Sequence, residues 1–574
     1  MNINISQSQA RRYFLVASLV LLGLAYLIML FYRGFFDPDE GRYAEIPREM
    51  VTSGHWGEIR MLGYAYYEKP PLAYWMVAPA IKMLGAREWV VRIPLLLNIV
   101  LMVGLFHALI RRHWPGVSGW SALLVMLSLI GCVVGFCLLL TDGFLTFWFS
   151  LTCILLFLAF QKEARPSHQY AFLLLAAIAA VLGVLTKGAI AVVLPGGILF
   201  FWLLWERRLR AILTPALPLA GLLFIALLTP IMYWIEQHNP GFIRHFIFEE
   251  HLGRFLGTRA SQLHDEPFWF FGAVLMPLLL PWTLFLVRAV RTIVVRRLLT
   301  TDALTRFFTV WAAVVIVFFS IGTGKLMSYI MPAIPPLGLL LGRWGLVEPL
   351  DGTRRDQQLW KLGMVGPLLT ALAIILLWLI SFFQVAPELV YPVAAISGVA
   401  LIPLIVSFGI MVWMREFRHF RGILFFNAMI LLTVALLLSP LAGKDFNVLL
   451  HINSSHVYKK LAGILKPEDH VVVFWEYRPA LPFYTQRMTY PFQVKNELEY
   501  GIYMDRNRKC YLHYPDELRQ LIQNAPGRVY AVVDPEDYDK KFLPLQLNFV
   551  PVDFPKDPDT VILELLPAKS EPHP

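Results

Sequence analysis

The chain has 574 residues; 57% are apolar, only 16% are charged, and the mean hydropathy is +0.59. Soluble chains carry about 25% charged residues, so a string of soluble globules, a disordered chain, a coiled coil and a disulfide scaffold are all excluded. The net charge of +10 then fits the Lys- and Arg-rich inner loops of a polytopic membrane protein, not a nucleic-acid binder.

A helix that crosses lipid needs about 20 mostly apolar residues. In chain order the candidates are Tyr13–Phe31, Ile93–Ile110, Trp120–Phe136, Gly143–Phe160, Ala171–Leu185, Ala189–Leu204, Ile212–Trp234, Phe268–Val287, Phe307–Ile321, Tyr329–Leu341, Leu362–Phe383, Val390–Trp413 and Ile423–Leu441. The sequence therefore predicts a polytopic α-helical membrane protein of about 13 spans. When these spans alternate, Arg11-Arg12, Arg111-Arg112, Lys162 with Arg165, Arg207-Arg208, Arg288 through Arg297, Arg354-Arg355 and Arg415 through Arg421 share one side. The positive-inside rule makes that side cytoplasmic and puts the C-terminus outside. Tyr13–Phe31 lacks a small-x-small cleavage site after it and reads as an uncleaved anchor.

The first outer loop, residues 32–92, is long enough to escape the positive-inside rule and carries charges of both signs. Arg42–Val51 and Leu72–Leu84 within it read as amphipathic interfacial helices. Its sharpest motif is Asp37-Pro38-Asp39-Glu40-Gly41-Arg42-Tyr43-Ala44-Glu45. Asp39 and Glu40 there suit a general base or the stabiliser of a cationic transition state. They equally suit a solvated helix N-terminus, where the macrodipole favours acids. Next comes Tyr66-Tyr67-Glu68-Lys69-Pro70-Pro71. Lys69 there could hold a lipid phosphate as a point charge, or snorkel among interfacial tyrosines.

Asp142 follows an apolar run at the outer end of a span, and an acid in such a place is either functional or a helix-end marker. Lys187, in Leu185-Thr186-Lys187-Gly188, and Lys325, in Gly322-Thr323-Gly324-Lys325, sit at other outer ends. Each could bind phosphate or be a plain turn lysine, and neither lies in a complete phosphate loop. The second outer loop, residues 235–266, holds His251 and Arg254, which could meet an anion or a metal or simply line a surface loop. Tyr329 lies where an outer loop becomes a span, a common place for an aromatic anchor.

Residues 1–441 thus read as a membrane domain whose outer loops form the site, and residues 442–574 as a small soluble α/β domain on the outer face. Val471–Trp475, Arg528–Val533 and Thr560–Leu566 are its expected strands, alternating with helices near His456–Leu465 and Glu517–Asn524. Of the four cysteines, Cys132, Cys137 and Cys153 fall in apolar spans and Cys510 has no evident partner. No disulfide and no thiolate metal site is expected.

The candidate acids and bases gather at one membrane face, whereas a flippase or transporter generally places polar groups near the midplane on broken helices. An enzyme acting on a lipid-linked substrate at the outer interface is the reading this distribution favours. No Gly-rich nucleotide loop occurs.

These motifs resemble a known family. Asp39-Glu40-x-Arg42-Tyr43-Ala44-Glu45, Tyr67-Glu68-Lys69-Pro70-Pro71, Leu185-Thr186-Lys187-Gly188 and Lys325-Leu326-Met327-Ser328-Tyr329-Ile330-Met331-Pro332 are similar to the GT-C glycosyltransferases related to protein O-mannosyltransferases. With Glu250-His251-Leu252-Gly253-Arg254-Phe255, Leu481-Pro482-Phe483-Tyr484 and Glu499-Tyr500-Gly501, the chain most resembles the bacterial lipid A aminoarabinose transferases. The resemblance implies a GT-C fold in the inner membrane, with the site facing the periplasm. It implies transfer of 4-amino-4-deoxy-L-arabinose from undecaprenyl phosphate to lipid A. The double proline Pro70-Pro71 matches the wider group, in which the sugar differs or the acceptor is a protein Ser or Thr.

By the same resemblance Asp39 is the principal catalytic carboxylate, with Glu40 beside it and Asp142 as a second acid near the sugar. Lys69, Arg254 and Tyr329 would hold the carrier phosphate, and Tyr66, Lys187 and Lys325 would line the substrate. Glu68 and His251 are the pair that could share a divalent metal, although the chemistry requires no cofactor.

Overall fold

The computed structural model describes residues 7–114, 119–162, 164–253, 266–349, 351–384, 401–402, 404–406, 408–409, 420–437, 455–494, 498–504, 511–552 and 560–567. The chain forms two compact units, each discontinuous in sequence. The first comprises Met1–Arg33, Arg92–Trp234 and Ile243–Gly443, and the second Gly34–Val91, Ile235–Phe242 and Lys444–Pro574.

The first unit is helical. Among the described residues, 8 helices of the chain are long and apolar enough to cross a membrane, and a bent pair brings the number to 9. The expected polytopic helical architecture is therefore present. The span expected over Val390–Trp413 lies largely outside the described residues.

Two of the expected spans are interrupted, and a third changes helix type along its length. Trp120–Leu127 and Ile130–Cys137 meet at 72° around Ser128 and Leu129. Backbone freed at such a break must find partners where water is scarce. Ile130 N–H donates to the Leu280 carbonyl at 2.9 Å, and Trp282 Nε1–H donates to Ser128 Oγ at 2.7 Å. The stretch expected over Phe268–Val287 divides into Phe270–Leu278 and Phe285–Val295. Pro277 and Pro281 lack the amide protons that would carry one helix through. The stretch around Tyr329–Leu341 is a 3₁₀ turn over Met327–Ala333, an α-helix over Ile334–Leu340 and a π-helix over Leu341–Val347. Pro332, Pro335 and Pro336 fall in this stretch.

Buried arginines brace this unit by capping carbonyls. Arg92 is fully buried and donates to the carbonyls of Leu30 and Arg33 at 3.2 and 2.8 Å. Arg33 donates to the Cys137 carbonyl at 2.6 Å. Arg288, 1% exposed, is paired with Asp356 through Nε and Nη2 at 2.9 and 3.2 Å. Its remaining donors reach the carbonyls of Gly345 and Glu348 at 2.6 and 3.0 Å.

The second unit opens with an irregular run over residues 34–38, then a helix over Asp39–Ser53. This helix begins ahead of the expected Arg42, because Asp39 and Glu40 in its first turn complement the macrodipole. A short hairpin follows, β1 (Arg60–Met61) with β2 (Tyr64–Ala65), then the helix Leu72–Leu84. The C-terminal part folds around a five-stranded sheet. Its strands are β3 (His470–Phe474), β4 (Tyr490–Phe492), β5 (Val529–Val533), β6 (Asn548–Pro551) and β7 (Val561–Leu566). Their order is β4-β3-β5-β7-β6, with β3 parallel to β4 and β5, and β7 antiparallel to β5 and β6.

The three expected strands form the centre of this sheet, and the two edges were not expected. Pro491 demotes the β4 sequence, and the β6 sequence is mostly exposed and ends in Pro551. Helices Ser455–Ile464 and Pro515–Asn524 match the expected pair. The hairpin and the C-terminal part pack without clearance at Gly501, where a Cβ would lie 1.9 Å from the Ala65 carbonyl oxygen.

Removing one partner of a buried ion pair costs about 3–5 kcal/mol, whereas an exposed pair is worth under about 1 kcal/mol. Arg288→Ala is thus expected to lower the thermal unfolding midpoint in detergent sharply. Arg528→Ala, which removes an exposed pair with Glu564, is expected to leave it nearly unchanged.

Candidate active site

In the first unit, Asp142 is the second residue of the helix Thr141–Ala159, and Lys187 is the last residue of Pro166–Lys187. Helix macrodipoles favour an anion at the first place and a cation at the second. Gly188, at φ +109°, ends the second helix and turns the chain away. The two side chains form a direct ion pair, 8% and 10% exposed. The Lys187 ammonium also lies 5.0 Å from the centroid of the Tyr329 ring, a cation–π contact. Tyr329 rests on Phe319, with ring centroids 5.2 Å apart. Asp142, Lys187 and Tyr329, distant in sequence, thus form one cluster.

Lys325 is engaged elsewhere: it is buried and its ammonium donates to the Glu266 carbonyl at 2.6 Å. Thr141, beside Asp142, was not singled out by the sequence. Its hydroxyl is buried with no hydrogen-bond partner among the described residues. Such a group costs about 1–3 kcal/mol until something bonds it. Arg254 lies outside the described residues, as does the side chain of His251.

The second unit sorts the carboxylates of the Asp37–Glu45 motif. Glu40 is fully buried and accepts the Phe36 amide proton at 2.9 Å. Glu45 is fully buried in a two-point pair with Arg48, at 2.6 and 2.5 Å. Asp37 is partly buried and accepts the Ala480 amide proton at 3.1 Å. Asp39 alone of the four faces solvent, its side chain 60% exposed and 2.6 Å from Arg42 Nη2. The Arg42 guanidinium in turn sits 5.0 Å from the Tyr43 ring. Asp39 and Arg42 stand i, i+3 on one helix, a spacing at which side chains meet.

Farther along this unit, Tyr66 is buried and its amide donates to the Ile59 carbonyl at 2.8 Å. Glu68 is also buried. Lys69 donates to the Glu68 carbonyl at 3.0 Å, with its ammonium 4.0 Å from the Glu68 carboxylate. Tyr67 stacks near Phe242 and Tyr500 and donates to the Pro240 carbonyl at 3.2 Å.

Burial pushes the Asp37 carboxyl up to about 7, against the opposing pull of the Ala480 amide and the Arg478 charge. A carboxyl raised on folding contributes stability that is full below its unfolded value and is lost as pH rises through the folded one. Stability should therefore fall between about pH 4 and pH 7 and level off above. Asp37→Asn keeps the acceptor and should flatten that decline by a few degrees, as read by unfolding midpoints across pH. Separately, Lys187→Met should destabilise the protein by stranding the Asp142 carboxylate. Adding Asp142→Asn should recover most of that loss in the same assay.

Comparison with known proteins bears on what these residues do. The family model for dolichyl-phosphate-mannose-protein mannosyltransferase matches residues 68–234. An undecaprenyl phosphate-α-4-amino-4-deoxy-L-arabinose arabinosyl transferase of Pseudomonas aeruginosa is 35% identical over 363 residues, 62% of this chain and 64% of that protein. A Pseudomonas fluorescens transferase of the same description is 32% identical over 335 residues, 58% of this chain and 59% of that protein. The matches thus span less than two thirds of either relative. The crystal structure of ArnT from Cupriavidus metallidurans bound to undecaprenyl phosphate superimposes with a TM-score of 0.79 at 22% identity, covering 97% of this chain and 98% of that one. The chain therefore has the GT-C-type membrane fold of ArnT, and its sequence is similar to the aminoarabinose transferases.

Proposed function

We propose that this protein transfers 4-amino-4-deoxy-L-arabinose from undecaprenyl phosphate to a lipid A phosphate at the periplasmic face of the inner membrane. The observation that carries the proposal is the 35% identity to a transferase described by that donor and sugar. The residues supply suitable chemistry. Asp39, exposed and paired with Arg42, is available to the reacting sugar in a way that Glu40, buried on the Phe36 amide, is not. Asp39 is therefore the principal carboxylate, and Glu40 shapes the turn that presents it. Asp142, paired with Lys187, is the second acid, and Tyr329 and Lys187 offer a polar, cationic surface beside it.

The leaving group is a polyprenyl phosphate, already stabilised by its own charge. Lys69 and Arg254 would offset the further charge that develops on it. A lipid A phosphate oxygen is already ionised, so it needs no base. Asp39 then stabilises the oxocarbenium-like transition state or orients the cationic amino sugar. No step calls on a metal, and the Glu68–Lys69 contact gives Glu68 a cationic neighbour within the chain.

A second reading, with another polyprenyl-linked sugar or a Ser/Thr acceptor, is favoured by the mannosyltransferase match over residues 68–234. There Asp39 would act as the base that takes the hydroxyl proton. The test is transfer by the purified protein in detergent, from undecaprenyl phosphate-aminoarabinose to lipid A, read by mass spectrometry. The wild type should form product, with or without a chelator, and folded Asp39→Ala should form at most about one hundredth as much. Product only with another sugar or a peptide acceptor would establish the second reading. No product with any lipid-linked sugar would return the protein to the lipid transporter class.

A further inference from the structure

We propose that the C-terminal segment Pro479–Thr485 positions the catalytic carboxylate, with Tyr484 as the positioning residue. The proposal rests on the reading of Asp39 as that carboxylate.

Residues 34–38 lead into Asp39 without regular structure, tied locally by the Glu40 amide on the Phe36 carbonyl and the Phe36 amide on the Glu40 carboxylate, both at 2.9 Å. Further bonds come from the far end of the sequence. Phe35 N–H donates to the Tyr484 hydroxyl at 3.2 Å, and that hydroxyl donates onward to Glu88 Oε1 at 2.6 Å. Asp37 accepts the Ala480 amide proton from the first residue of the helix Ala480–Thr485. The Phe35 ring, 1% exposed, meets Phe483 and Tyr484 with centroids 5.0 and 5.4 Å apart. At Gly41, a Cβ would come within 2.4 Å of the Ala480 nitrogen. The run that ends at Asp39 is therefore held on both sides, by hydrogen bonds at residues 35 and 37 and by direct backbone approach at residue 41.

The holding segment is itself tied down. Arg478, just before it, donates to Thr560 at 2.5 Å, beside the start of β7, and to Glu476 at 2.6 Å. Lys459 binds Glu88 at 2.9 Å and lies 5.4 Å from the Tyr484 ring. A continuous series of contacts thus runs from the sheet to the Asp39 turn. Within it one Tyr484 hydroxyl serves both the Phe35 amide and Glu88. A carboxylate that stabilises charge only in the transition state must be held in place beforehand, since small displacements cost rate steeply. This gives the C-terminal part of the chain a role in the reaction although it supplies no reacting group.

Tyr484→Phe removes the hydroxyl and leaves the ring packing, so the variant should fold. Three readouts on the full-length protein test the idea. Turnover should fall about tenfold while KM for the lipid-linked donor stays within about twofold. Amide hydrogen exchange in residues 34–41 should quicken while that of β3 and β5 stays unchanged. In an Asp39→Asn background the same substitution should cause little further loss, because the two act through one group. Unchanged exchange in residues 34–41, or a full multiplicative loss on top of Asp39→Asn, would overturn the proposal. If the wild type transfers no sugar at all, the functional reading fails, and the exchange result alone decides whether Tyr484 holds this turn.

Discussion

A charge removed from water must be paired or it cannot stay. This constraint organises the molecule, because a chain with so few charged residues still buries several of them. Asp142 meets Lys187, Arg288 meets Asp356, and Glu45 meets Arg48, each pair between groups that neighbouring apolar side chains shield. Arg33 and Arg92 meet the same demand with carbonyl oxygens. The Asp142–Lys187 and Arg288–Asp356 pairs join segments distant in sequence, whereas Glu45–Arg48 lies within one helix. The two long-range pairs therefore set geometry more than they add stability.

The same constraint separates the carboxylates of the Asp37–Glu45 motif by exposure. Asp37, Glu40 and Glu45 each have a partner that completes the local structure. Asp39 has an exposed side chain and one cationic neighbour. A dense acidic motif thus resolves into one solvent-facing carboxylate and three that are bonded within the local structure. Breaks in the helices follow related logic. Proline and the bend at Ser128 free backbone groups, and these are bonded by neighbouring segments or fall in short 3₁₀ and π turns. Tyr329 owes its place beside Lys187 to such a turn.

Long-range order is decided in the second unit. The segment of residues 34–91 groups with residues 444–574 across hundreds of intervening residues. Gly41 and Gly501 mark where backbone meets backbone directly, against Ala480 and Ala65. A soluble-looking C-terminal part therefore completes the fold of a loop that precedes the second span.

Much of this was legible in the sequence. Apolar run length gave the membrane class, since about 20 residues are needed to cross lipid whatever the tertiary context. Central strands β3, β5 and β7 were visible because buried strands need unbroken β-branched and apolar runs, while the proline-bearing edges β4 and β6 were not. The Asp39–Arg42 pair was not, because the helix was expected to begin at Arg42, after Asp39. Partners distant in sequence were not legible: Asp142 with Lys187 and Tyr329, Asp37 with Ala480, and Phe35 with Tyr484. Composition and local periodicity record what each segment must bury, and so the sequence alone determined the membrane class, the sheet centre and the motif that carries Asp39. Which buried charge finds which partner depends on where separate segments meet in space, and only the tertiary structure decided that.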